Sequence, residues 1–279
     1  MIRRILLIAS IAFSPFVGIF AQHEFSLYGG GGLSALSYKV DDAEQKDGFG
    51  GQFGLGYRYS VKRNFGIVSG VGLAIYNASF EALNMGTRSV ARDIVENVDF
   101  DFHSVLSGYE EKQGATLLQI PVMGQYLYNL GQLQCYANGG VKFGIPLGGQ
   151  FSSSVASIKN TGFYAEEQFE YEVQRFRGFD TFERETYRGD LDFKVAVLFS
   201  LEAGVKFALS GELSLYAGAY FDYGLSNIHK SIAPKFVEYN ETNPEYFNVN
   251  SVIYSKYEGF TDKIMPFAAG IKIALALEK

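Results

Sequence analysis

The chain has 279 residues, and its 24 Lys and Arg against 30 Asp and Glu leave a net charge of −6. That balance, with no basic cluster or stripe, excludes a nucleic-acid surface. A single cysteine, Cys135, excludes an internal disulfide and any cysteine-built metal site.

Residues 1–21 carry Arg3 and Arg4, then a short apolar run, then small residues up to Ala21. This reads as a secretory signal peptide cleaved near Ala21–Gln22. No later apolar run is long enough for a membrane helix. The mature domain, 22–279, opens with a strand over about 24–37, with Phe25, Leu27 and Leu33 on one face. A second strand follows over about 49–60, where Phe49, Phe53, Leu55, Tyr57 and Tyr59 alternate with small or polar residues. After the tight turn 61–64 comes a third, about 65–78, with Phe65, Ile67, Val71, Leu73 and Ile75 on one side. Period-two alternation of this kind is the strand signature.

Residues 79–114 read as a long polar connection. Val90, Ile94, Val95 and Val98 fall on one side of a short helix over 88–98 within it. The fourth and fifth strands, about 115–128 and 133–147, are joined by a tight turn at 129–132. A second long connection spans 148–192. Residues 193–228 form a hairpin about the turn 209–212. Its outward face, from Phe193 through Phe207 and from Leu213 through Leu225, is apolar along its whole length. A third long connection, 229–262, leads to the last strand, about 263–277.

Tight turns and long connections alternate, which gathers all tight turns at one end and all long connections at the other. With eight strands long enough to cross a bilayer and one face apolar, the pattern predicts an all-β fold: an eight-stranded antiparallel up-and-down transmembrane β-barrel with long extracellular loops. The lipid side is apolar and the lumen polar. Tyr57, Tyr59 and Phe65, and Tyr126 and Tyr128, flank the tight turns as an aromatic girdle would.

The runs LQIPVMGQYLY (118–128), YANGGVKFGIPL (136–147), SLEAGVKF (200–207), LSLYAGAYFDYGLSNI (213–228) and AAGIKIALALEK (268–279) resemble the outer-membrane β-barrel family common in Bacteroidetes, which includes PorT-like proteins, and small OmpA- or OmpX-like barrels. The resemblance implies a cell outer membrane location and shares no catalytic motif. It also implies an accessory role in protein secretion as one alternative.

Arg58, Lys142, Glu202, Lys206, Asp222 and Lys272 fall on the inward face, with Gln52, Gln119, Gln125 and Asn138. Lys142, Glu202 and Asp222 lie at similar heights, with Arg58 and Lys206 nearer the tight turns. An eight-stranded lumen is just wide enough for side chains to fill, so these charges form either a paired polar plug or the lining of a narrow pore. His103 stands with Asp99, Asp101 and Ser104, which raises a loop-borne lipid or peptide hydrolase. Their alternation with Phe100 and Phe102 reads instead as a strand with one solvated face, and members of a catalytic triad come from separate elements. No cofactor, metal or catalytic residue is assigned. The partners expected are outer-membrane lipid and lipopolysaccharide, and an extracellular glycan or protein at the connections 79–114, 148–192 and 229–262, whose aromatic and acidic residues suit either binding or self-packing. The function expected is a non-enzymatic structural or surface-interaction role.

Overall fold

The computed structural model describes residues 23–40, 44–131, 133–230, 234–255, 257 and 263–279. The expected signal peptide, 1–21, lies outside the described residues. Eight strands close a ring: β1 (His23–Ser37), β2 (Glu44–Lys62), β3 (Phe65–Asp93), β4 (Val98–Leu130), β5 (Leu133–Tyr164), β8 (Ala196–Ala208), β9 (Leu213–Gly224) and β12 (Met265–Glu278). Every neighbouring pair is antiparallel, and β12 pairs with β1 from Glu24↔Glu278 to Ser37↔Met265 to seal the barrel. Closure removes the free edges that a membrane-spanning sheet cannot leave unpaired.

Each strand obeys the period of two. Phe25, Leu27, Phe53, Leu55, Ile271 and Ile273 point outward and are exposed, while Tyr28, Gln52, Lys142, Glu202 and Asp222 are buried inside. The bore is tight enough to need glycine at points of contact. The Tyr28 ring lies across β2 and β3, and a Cβ on Gly72 would collide with its hydroxyl oxygen. The β4–β5 turn uses Gly131 in the left-handed region at φ 66°, where a Cβ would be strained.

Three strands run far past the apolar belt. β3, β4 and β5 reach 29, 33 and 32 residues, more than a bilayer needs. The segment 79–114 is therefore not a loop but the upper half of the β3–β4 hairpin, paired out to Asp93↔Val98. The helix expected over 88–98 does not form. Residues 88–93 continue β3, the turn 94–97 ends with Asn97 at φ 57°, and β4 begins at Val98. The cross-strand pairs Arg88–Asp101 and Arg92–Asp99 occupy the face whose charges a helix would have scattered.

β7 (Asp180–Asp190) and β6 (Phe169–Tyr171) add to the free side of β5 above the belt. The segment 234–255, including the short pair β10 (Val237–Tyr239) and β11 (Phe247–Val249), packs against the inner face of this extended sheet. The result is a folded head whose core runs on into the upper lumen: Phe80, Phe102, Leu106, Tyr109, Val155 and Ile158 from the sheet, with Tyr38 just past β1, meet Phe236, Val249, Val252 and Ile253, and Ala74, Leu198 and Tyr220 continue the cluster inside the barrel. Burying a side chain such as Phe236 contributes about 1.5–3 kcal/mol. By the rule that tight turns face the periplasm, this head lies on the extracellular side.

Candidate functional site

The middle of the lumen is a network of opposite charges. Lys142 on β5 places Nζ 3.0 Å from both carboxylate oxygens of Asp222 on β9 and 3.6 Å from Glu202 Oε1 on β8. Lys272 on β12 reaches the same Glu202 oxygen at 2.7 Å and lies over the Tyr28 ring at 4.3 Å. The second oxygen of Glu202 accepts from Asn138 Nδ2 at 2.9 Å, and Asp222 accepts from the Ser200 hydroxyl at 2.6 Å. The side chains of Lys142, Glu202 and Asp222 are only 2–3% exposed. Four strands thus contribute one cross-linked plug.

A second cluster lies toward the tight turns. Lys206 on β8 is held between Glu24 at 2.7 Å and Glu278 on the two closing strands. Arg58 donates to the Ser60 hydroxyl at 2.5 Å and shares a cavity lining with Glu24, with no salt bridge to it among the described residues. Glu24 and Glu278 escaped the sequence reading because they sit at strand ends, although both have inward parity with Ser26 and Ala276. A cavity of about 60 Å³ separates the two clusters, lined among others by Tyr28, Arg58, Gln125 and Asn138. It has room for water-sized contents only. All six charges read as lumenal from the sequence are therefore inside the barrel, and five of them take part in the ion pairs above.

The head carries a different kind of buried charge. Glu111 on β4 is fully buried, and no cation pairs with it among the described residues. It accepts from the Tyr109 hydroxyl at 2.5 Å, Gln113 Nε2 at 2.7 Å, the Ser251 hydroxyl and the Val252 N–H at 3.0 Å. Burial pushes its carboxyl above the ordinary glutamate range, and these donors offset only part of that.

At the outermost point, Arg177 joins two turns. Its guanidinium binds Asp93 at the end of β3 and Glu96 of the β3–β4 turn, each at 3.0 Å. Burial would raise the Asp93 carboxyl, but the N–H groups of Glu96 and Val95, the Tyr164 hydroxyl and Arg177 outweigh it and hold Asp93 below the ordinary range. This bridge ties the turn that carries Ile94 and Val95 to the segment that carries Val173 and Phe176, and all four side chains are well exposed. An apolar tip is thereby fixed at the far end of the head.

The residues around His103 do not assemble catalytic machinery. His103 Nδ1 meets Glu170 Oε1 at 3.2 Å, and Thr161 donates to the same oxygen at 2.6 Å. Ser104 points to the opposite face, where its hydroxyl donates to Asn160. Asp99 and Asp101 are engaged by Arg92 and Arg88. The solvated face of a strand is what the geometry presents, with His103 linking β4 to β6.

A family model described as "Outer membrane protein beta-barrel domain" matches residues 20–230. No functionally curated protein matches the sequence. Similar solved structures include a major outer membrane protein from Thermus thermophilus, 14% identical with a TM-score of 0.39, covering 91% of this chain and 99% of that one. Neisserial surface protein A is 8% identical at a TM-score of 0.33, with 92% and 96% covered. Ail of Yersinia pestis, solved with the heparin analogue sucrose octasulfate, is 11% identical at a TM-score of 0.26, with 93% and 99% covered.

Proposed function

The chain belongs to the outer membrane protein β-barrel domain family and resides in the outer membrane, and from that premise we propose that it is a non-enzymatic, sealed barrel that presents a folded extracellular head to a partner. Residues 1–21 direct its export and are removed. Its runs at 118–128 and 136–147 align it with the Bacteroidetes type. The observation that carries the reading is the head itself: three strands continue past the lipid belt, enclose an apolar core, and carry an exposed apolar tip.

The tip fits a partner that offers apolar surface with acidic or hydrogen-bond-accepting neighbours. Ile94, Val95, Val173 and Phe176 supply contact area, and Arg175 stays exposed next to Phe176 although it pairs with Asp180 at 3.6 Å. An extracellular protein meets that description better than a bare glycan, whose recognition needs more polar contacts. The connections 79–114 and 148–192 supply this surface. The described part of 229–262, Tyr246 apart, turns its large apolar side chains into the head core and serves mainly to support the tip.

The lumen supports an anchor in preference to a pore. Mutually paired charges cross the section at Lys142, and the cavity below accommodates only water-sized contents.

The test displays the intact protein on cells and measures their adhesion to a panel of immobilised extracellular proteins. Substituting Val95→Asp and Phe176→Asp together is expected to abolish adhesion while surface display stays constant. Adhesion that survives this double change removes the tip from the account.

A further inference from the structure

Just above the lipid belt, on the outer wall, the sheet carries a hollow of about 860 Å³. Its row Ser79–Lys112–Ser152–Arg188 runs across β3, β4, β5 and β7 in direct register. The row below is Asn77–Gly114–Gln150–Asp190, where Gly114 leaves the floor without a side chain. Strands lie about 4.8 Å apart, so the backbones of Lys112 and Arg188 are about 10 Å apart and their side chains can converge on one group.

Two features separate these cations from others on the same wall. Lys46, Arg88, Arg92 and Lys159 are each neutralised by a carboxylate, from Glu81, Asp101, Asp99 and Glu172. Lys112 and Arg188 form no ion pair among the described residues, and both are exposed. The second feature is height. Phe49 and Ile75 mark the top of the exposed apolar belt. Lys112 lies four residues along the strands from the Ile75↔Thr116 row, about 10 Å above it at the usual rise and tilt. That is the depth of the outer-leaflet headgroups.

We propose that this hollow binds the phosphorylated headgroup of an outer-leaflet glycolipid. Lys112 and Arg188 flank a phosphate, with charge-assisted hydrogen bonds. Ser79 and Ser152 donate to its remaining oxygens. Gln150 and Asp190, at the lower rim, meet sugar hydroxyls, for which a carboxylate is a suitable acceptor. The acyl chains then run down the wall beside Ile75 and Leu147, both exposed to lipid. The site is independent of the tip and of whatever the tip contacts.

Native mass spectrometry of the purified protein tests the assignment, with bisphosphorylated lipid A, dephosphorylated lipid A and inorganic phosphate as separate probes. The wild type is expected to retain the phosphorylated lipid at least about tenfold better than the dephosphorylated one. The K112A/R188A double variant should lose that preference, and K112R/R188K should keep it. Both positions are exposed, and heat-modifiable mobility on gels verifies folding before each measurement. Equal retention of the two lipids, or unchanged retention by K112A/R188A, overturns the proposal. Inorganic phosphate bound as tightly as the lipid overturns the lipid as its source.

Discussion

The Ser251 hydroxyl donates to the Glu111 carboxylate across 140 residues of sequence, and the Val252 N–H joins it on the other oxygen. One fully buried acid on the extended β4 strand therefore clamps the last long connection onto the head. Coming from the same strand, Tyr109 and Gln113 brace the acid from either side. Replacing Glu111 with Leu leaves Ser251 and the Val252 N–H without their acceptor, at a cost of about 1–3 kcal/mol for each buried group left unmade. Hydrogen exchange should then quicken across residues 247–255 while β8, β9 and β12 keep their protection. E111Q, which retains an acceptor oxygen, should fall between the two.

The same acid gives the clamp a pH dependence of definite sign. Burial raises the folded-state carboxyl of Glu111 above its unfolded value. The folded state then holds its proton to higher pH than the unfolded state does, so the contribution to stability is full below the ordinary glutamate range and is lost as pH rises through the raised value. Protection of the Val252 and Ile253 amides, measured as opening free energy, is predicted to increase on mild acidification. In E111Q this dependence should be absent.

In the lumen, Lys142 stands between Asp222 and Glu202. Lys142→Met leaves a surplus buried negative charge and should lower stability by about 3–5 kcal/mol. Adding Asp222→Asn removes the surplus and should restore much of that loss, so a double-mutant cycle in urea should show strong coupling. Additive losses would mean the pair is not coupled in the folded barrel.

Arg177 holds the tip through Asp93 and Glu96. Arg177→Ala should speed exchange at residues 93–97 and 174–178 and weaken adhesion about tenfold, with little change in the barrel. If adhesion is unaffected, the Arg177 bridge between the two turns does not matter for binding.

How much of this could be read from the chain depends on which solvent lies outside it. In the belt, Ile75 faces lipid and Tyr76 faces the lumen, so apolar and polar residues alternate in the sense expected of a membrane strand. A few residues higher the outer solvent becomes water and the inner space becomes the head core. Ser79 and Glu81 now face outward while Phe80 and Ala82 are buried. The alternation continues but its sense inverts, so 79–114 reads as a polar connection although its strands never stop. The inward parity of Arg58, Lys142, Glu202, Lys206, Asp222 and Lys272 was legible because it needed only period two. The partnership of Glu111 with Ser251 was not, since no local pattern joins residues so far apart. The hollow at Lys112 and Arg188 needed the register of four strands.

Single-channel recording in planar bilayers asks whether the barrel is a sealed anchor carrying a folded head. No steady openings are expected from the wild-type protein, because the Lys142–Asp222–Glu202–Lys272 plug closes the section. Stable openings in the wild type, with a conductance that changes when Lys142 or Asp222 is neutralised, would contradict it.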